Sequence, residues 1–202
     1  FSALVSVKTL SFEDGLLLVI KRAEAMHIAC KSKDSTMAAI IGLEASKIET
    51  ICNKQDGVGV IANYNSPSQI VISGDTNTIE KACIKLTEAG AKRTVILPVG
   101  GAFHSPIMKS AKKSLELAIN SIEFNAPRCP IYQNVSAQAV IDKNILKENL
   151  IQQLTSPVKW YQTIQNMIQA GATQFVEVGP GNVLSGLNRR INREVESIKA
   201  KL

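Results

Sequence analysis

Between residues 37 and 99 the chain alternates short apolar runs with amphipathic helical stretches, and this alternation limits the fold more than any other feature. Met37-Ala38-Ala39-Ile40-Ile41 reads as a buried strand closed by Gly42. Glu44 to Asn53 reads as a helix. Val58 to Tyr64 and Gln69 to Ser73 read as two further strands, joined through Asn65-Ser66-Pro67-Ser68, a stretch with strong turn chemistry. Asp75-Thr76 opens a second helix that runs to about Ala89 and is ended by Gly90. Arg93 to Val99 is the last strand. The order βαββαβ is the split-βαβ, or ferredoxin-like, pattern, and the segment is long enough to hold it.

The flanking sequence has a different rhythm. Residues 1–31 read as helices, with Ser11 as an N-cap and Glu13 and Asp14 in the first turn. Leu16, Leu17, Ile20, Ala23, Met26 and His27 recur there at helical spacing. Further on, residues 107–125 read as a helix and Pro130 to Val135 as a strand. Asp142 to Leu154 and Val158 to Ala170 read as helices, the second ended by Gly171. Gln174 to Val178 reads as a strand, and Val183 to about Ile198 as a basic helix containing Arg189, Arg190 and Arg193. Strands alternating with helices imply a parallel sheet with helical cover. The expected class is therefore α/β: a parallel-sheet core formed by residues 1–33 and 99–202, with a ferredoxin-like subdomain inserted at 34–98.

Composition bounds the function. The chain has 202 residues, 45% hydrophobic and 20% charged, the balance of a globular protein. No apolar run approaches the ~20 residues that cross a bilayer, so no membrane association is expected. The opening Phe1-Ser2-Ala3-Leu4-Val5 lacks an initiator Met and a basic region, so it reads as a chain that starts partway through something rather than as a signal peptide. Four cysteines, Cys30, Cys52, Cys83 and Cys129, lie far apart without metal-ligand spacing. They fit a reducing cytoplasm, and neither a metal nor a resident cofactor is expected. The net charge of +6 favours acidic partners.

Only two histidines occur, His27 and His104. His104 follows a strand through Gly100-Gly101-Ala102-Phe103 and precedes a helix, a junction where the backbone can place a side chain in a cleft. Imidazole, with a free pKa near ~6.5, is the natural proton carrier at neutral pH. Arg22 is a candidate fork for a carboxylate. The Gly179-Pro180-Gly181 turn opens a helix whose free N–H groups could face an anion. No Gly-x-Ser-x-Gly elbow occurs, and Ser105 adjoins His104 too closely to present its hydroxyl to the same reacting atom. A general base is visible and its nucleophile is not.

Taken in order, several segments resemble the malonyl-CoA:acyl-carrier-protein transacylase family, the acyltransferases of fatty-acid synthesis. They are Phe1-Ser2-Ala3-Leu4-Val5, Arg22 with Met26, the run Met37 to Leu43, the run Asn63 to Gly74, Gly101-Ala102-Phe103-His104-Ser105-Pro106, and Phe124-Asn125-Ala126-Pro127. Gln153 with Pro157-Val158-Lys159-Trp160 and Glu177-Val178-Gly179-Pro180-Gly181 complete the set. The resemblance implies a hydrolase-like acyltransferase core and ping-pong transfer of malonyl, from coenzyme A to a serine and then to the phosphopantetheine thiol of acyl carrier protein. It implies that His104 is the base, that the backbone carbonyl of Gln153 orients its ring, and that Arg22 binds the malonyl carboxylate. It makes Met26, Asn65 and Phe103 substrate-binding, Phe103 within a Gly-Ala-Phe-His tetrad similar to the malonate-selective signature of polyketide acyltransferases. In the family the serine elbow lies just before the residues matching Phe1-Ser2-Ala3-Leu4. The chain alone is therefore expected to be inactive.

Two other readings exist. One is a non-catalytic remnant that binds coenzyme A or the carrier with the same residues. The other is an RNA-recognition fold, which shares βαββαβ order and basic charge but needs exposed aromatics on its sheet. The candidate strands offer only Tyr64, so no nucleic-acid partner is expected.

Overall fold

Strand β1 (Ser35–Ile41) is buried from Ser35 to Ile40, so both of its faces are covered. It lies inside a four-stranded antiparallel sheet of order β2-β3-β1-β4, with β2 at Gly59–Ser66, β3 at Gln69–Asp75 and β4 at Arg93–Ile96. This is the order that βαββαβ connectivity produces when each helix crosses the same face. The computed structural model in which these elements are seen describes residues 1–201. Helices α3 (Ala45–Asn53) and α4 (Thr76–Glu88) cover one face of the sheet. Ile48, Ile79 and Leu86 from these helices interlock with Ala38, Ile40 and Ile72 from the strands. On the opposite face Met37, Ala39, Ala62 and Val71 meet Leu97, Val99 and Phe103. Gly74 makes the β2–β3 junction tight: an added Cβ would sit 1.8 Å from the carbonyl oxygen of Val58.

A second core forms around α2 (Phe12–Ser32), α5 (Lys109–Asn120) and α6 (Lys143–Gln152). Ser11 caps α2 as expected, its Oγ accepting from the Asp14 N–H at 3.0 Å. The buried face of α2 is not the stripe that its spacing suggests. Gly15, Leu18, Ala25 and Ala29 face inward, while Leu16, Leu17 and Ile20 are exposed. The segment is apolar nearly all round between 15 and 20, so periodicity selects no face. Small residues decide it, because Gly15, Ala25 and Ala29 let Val5 and α5 approach closely. Short α1 (Ser2–Ser6) packs its Leu4 into the same core.

The remaining elements are β5 (Ile131–Tyr132), β6 (Ala139–Val140), α7 (Trp160–Gln169), β7 (Gln174–Glu177), α8 (Val183–Ile191) and β8 (Glu196–Lys199). Parallel strand pairing among the described residues is that of β7 with β8, plus one bridge between Asn63 and Val158. Several boundaries depart from expectation: β4 stops at Ile96 rather than Val99, β5 is shorter than Pro130 to Val135, and α5 ends at Asn120 rather than Asn125. The basic helix stops at Ile191, because the Asn192 side chain accepts from the N–H groups of Glu194 and Val195 and turns the chain into β8. Helix α7 starts at Trp160, because Val158 is held in the bridge to β2. No helix among the described residues is long and apolar enough to cross a membrane.

Candidate active site

A cleft of about 480 Å³ opens where the far face of the four-stranded sheet meets α2 and the residues after β4. Arg22 and Met26, one helical turn apart, enter it from α2. Asn63 and Asn65 enter from β2, while Phe103 and His104 enter from the segment after β4.

His104 is placed by its backbone. Its φ of 58° lies in the left-handed region, which costs energy for a residue with a Cβ. Just before it, Gly101 is buried so tightly that an added Cβ would lie 2.4 Å from the Cys30 sulfur, although that clash is with a movable side chain. Just after it, the fully buried Ser105 Oγ donates to the Ala102 carbonyl at 2.7 Å and accepts from the Ile107 N–H at 3.2 Å. That hydroxyl caps the turn Pro106–Met108 and is not free for chemistry.

The imidazole Nδ1 lies 2.9 Å from the Gln153 carbonyl and 3.1 Å from the Ser156 carbonyl. Carbonyl oxygens only accept, so Nδ1 carries the hydrogen and the neutral ring leaves Nε2 as its basic atom. Gln153 follows the last residue of α6, where carbonyls lack a helical donor. The Gln152 carbonyl instead takes the N–H groups of Thr155 and Ser156. Burial pushes the His104 pKa below the ordinary histidine value; the two carbonyls oppose this and the charge of Arg22 adds to it. Histidine at neutral pH is thus unprotonated and available as a base.

Arg22 is half-buried and has no carboxylate or hydrogen-bond partner among the described residues. A guanidinium stays charged under all ordinary conditions, so this cation faces the cleft without a counter-ion. The cleft therefore pairs a base having a free lone pair with an anchor for an anion.

The six residues singled out from sequence meet here. Arg22, Met26, Asn65, Phe103 and His104 line the cleft, and Gln153 reaches it through its carbonyl. Asn63 and Ser156 escaped sequence reasoning. Asn63 is two residues from Asn65 on one strand, a spacing that signals a shared face. Ser156 acts through its backbone, which has no signature in sequence. The Gly179–Gly181 turn does not line this cleft. The helix start behind it already has its anion, because the Glu177 carboxylate accepts from the N–H groups of Leu184 and Ser185 at 3.0 and 2.8 Å.

Comparison with known proteins matches the chain as a whole to a family. A relative called malonyl CoA-acyl carrier protein transacylase from Staphylococcus aureus strain MRSA252 is 40% identical over 199 residues, 97% of this chain and 65% of its own length. The Bacillus subtilis strain 168 protein of the same name is 40% identical over 201 residues, 98% of this chain and 63% of its own. The crystal structure of an acyl carrier protein S-malonyltransferase from Vibrio cholerae superimposes with a TM-score of 0.95 at 38% identity, covering 98% of this chain and 65% of that one. The chain thus spans a little under two thirds of the length of these relatives. The family defined by the acyl transferase domain matches residues 1–201, and the chain belongs to that family.

Proposed function

We propose that the chain provides the proton-transfer and acyl-binding part of a transferase moving malonyl from coenzyme A to the phosphopantetheine thiol of an acyl carrier protein. The observation that carries this reading is the unpaired Arg22 in the cleft that also holds His104. A dicarboxylic thioester has a free carboxylate for that cation, and an acyl transfer needs a base. The names of the 40% identical relatives point to the same donor and acceptor.

In this reading the acyl-accepting serine is not one of these 202 residues, which contain no Gly-x-Ser-x-Gly. His104 Nε2 takes the serine hydroxyl proton as the oxygen attacks the thioester carbonyl, and gives it to the departing thiolate sulfur. The second half runs in reverse: Nε2 takes the proton of the carrier thiol, and the serine oxygen recovers it on leaving. The Gln153 carbonyl keeps the ring oriented throughout, where a serine-protease triad uses a carboxylate. Arg22 holds the malonyl carboxylate. Met26, Asn65 and Phe103 bound the acyl group, Phe103 leaving little room for an α-methyl branch. Residues 34–98 act as a subdomain roofing the cleft, and residues 1–33 with 99–202 as its floor. Four free cysteines agree with a cytoplasmic setting.

The test is malonyl transfer from coenzyme A to carrier protein by an elbow-bearing protein containing this chain. Loss of transfer in His104→Ala, with loss of malonyl preference in Arg22→Ala, supports the reading. Binding of malonyl-CoA without transfer would favour a non-catalytic role.

A further inference from the structure

We propose that the outer edge of β2 positions His104 from a distance, by clamping the segment whose carbonyls hold its Nδ1. The proposal rests on His104 being the proton carrier of the cleft.

Strand β2 ends the sheet order, so its outward N–H and C=O groups lack a strand partner. Val158 takes their place. Its N–H donates to the Ala62 carbonyl at 2.7 Å, and its carbonyl accepts from the Tyr64 N–H at 2.8 Å. This is the parallel bridge centred on Asn63, whose side chain faces the cleft. Two residues before Val158 lies Ser156, whose carbonyl accepts from Nδ1.

The link between them is stiff. Pro157 has its φ fixed by its ring, and the residue before a proline is confined to extended conformations. At the other end, Ser156 N–H is tied to the Gln152 carbonyl at 3.1 Å, at the close of α6. Beyond the bridge, Lys159 N–H donates to the Asn134 carbonyl at 3.0 Å. The two acceptors of Nδ1 are therefore suspended between the end of α6 and the edge of β2. One strand lines the cleft with Asn63 and Asn65 and, through the bridge at its edge, braces the base from behind. A displacement of the sheet is passed to the imidazole through a few covalent bonds of restricted rotation.

The experiment reads the ring directly. With only two histidines, imidazole ¹⁵N signals are assigned by comparison with His104→Ala. They are recorded on the 202-residue chain at a pH where the ring is neutral. The wild type is expected to show one tautomer, with the hydrogen on Nδ1. Tyr64→Pro removes the N–H that donates to Val158, and the two nitrogen signals of His104 should move toward one another as the Nε2–H form appears. Tyr64→Phe keeps the N–H and should leave the pattern unchanged. If Tyr64→Pro fails to fold by circular dichroism, replacing Tyr64 by its α-hydroxy acid analogue swaps the same N–H for an ester oxygen and leaves the side chain intact. A folded Tyr64→Pro or ester chain with an unchanged Nδ1–H pattern overturns the clamp. So does an equal change in Tyr64→Phe. Transfer activity is a separate measurement: an active His104→Ala enzyme would remove the proposed function and leave the tautomer result standing.

Discussion

His104 Nδ1 and the Gln153 carbonyl are 2.9 Å apart, so the ring is oriented by main chain where many related chemistries use a carboxylate. A side-chain truncation at 153 leaves that acceptor in place. In an elbow-bearing enzyme, His104→Ala should slow transfer by roughly 10²–10⁴, the usual contribution of a positioned proton carrier. Gln153→Ala should cost far less. Steady-state malonyl transfer separates the two, and equal losses would mean that the Gln153 side chain is the orienting group. The 202-residue polypeptide by itself should not turn over.

Arg22 should govern the choice of acyl donor. Removing one partner of a buried guanidinium–carboxylate pair costs on the order of 2–5 kcal/mol. Arg22→Ala should lose malonyl-CoA and gain relative activity with acetyl-CoA, since the unpaired cation no longer disfavours a neutral group. Arg22→Lys should recover only part of the loss, because an ammonium lacks the planar fork. Comparing kcat/KM for both donors decides the matter. An unchanged ratio in Arg22→Ala would make the residue a bystander.

The lowered His104 pKa gives a pH dependence with a definite sign. Burial is its largest cause, and the folded chain favours the neutral ring. The resulting stability is complete above about pH 6.5, the ordinary histidine value, and is lost as pH falls through the lower folded-state value. Stability should therefore drop more between neutral and mildly acidic pH in the wild type than in His104→Ala, measured by denaturant unfolding at each pH. Arg22→Ala removes a charge that depresses this pKa, so the His104 titration followed by NMR should move upward.

Trp160, the only tryptophan, donates its indole N–H to the Asn188 side-chain oxygen at 3.1 Å, tying α7 to α8. Asn188 is buried. Asn188→Ala leaves the indole without its acceptor, and should destabilise by about 1–3 kcal/mol. Unfolding followed through the single tryptophan reports the loss directly.

How much of this could be read from residues depends on what each one does. The run Met37 to Ile41 gave away a central strand because it has no polar alternation and turn residues bound it. His104 stood out through its scarcity and its glycines, and Arg22 through its place in a recognisable order of motifs. Helix α2 hid its buried face because apolar residues nearly surround it and glycine and alanine decide the packing. The end of α8 was hidden because the Asn192 side chain competes for backbone N–H groups, an outcome set by local geometry. Ser156 and Val158 were illegible in principle, since their peptide groups, not their side chains, touch the site.

The φ of 58° at His104 has a consequence for how this site persists. Glycine or asparagine would occupy that backbone conformation at less cost than histidine does. Position 104 is thus one where durability and chemistry pull in opposite directions. A library selected for heat resistance alone should drift away from histidine there, while the same library screened for turnover should keep it. The imidazole sits over the cleft in spite of its backbone, held by the carbonyls on one side and the buried turn on the other.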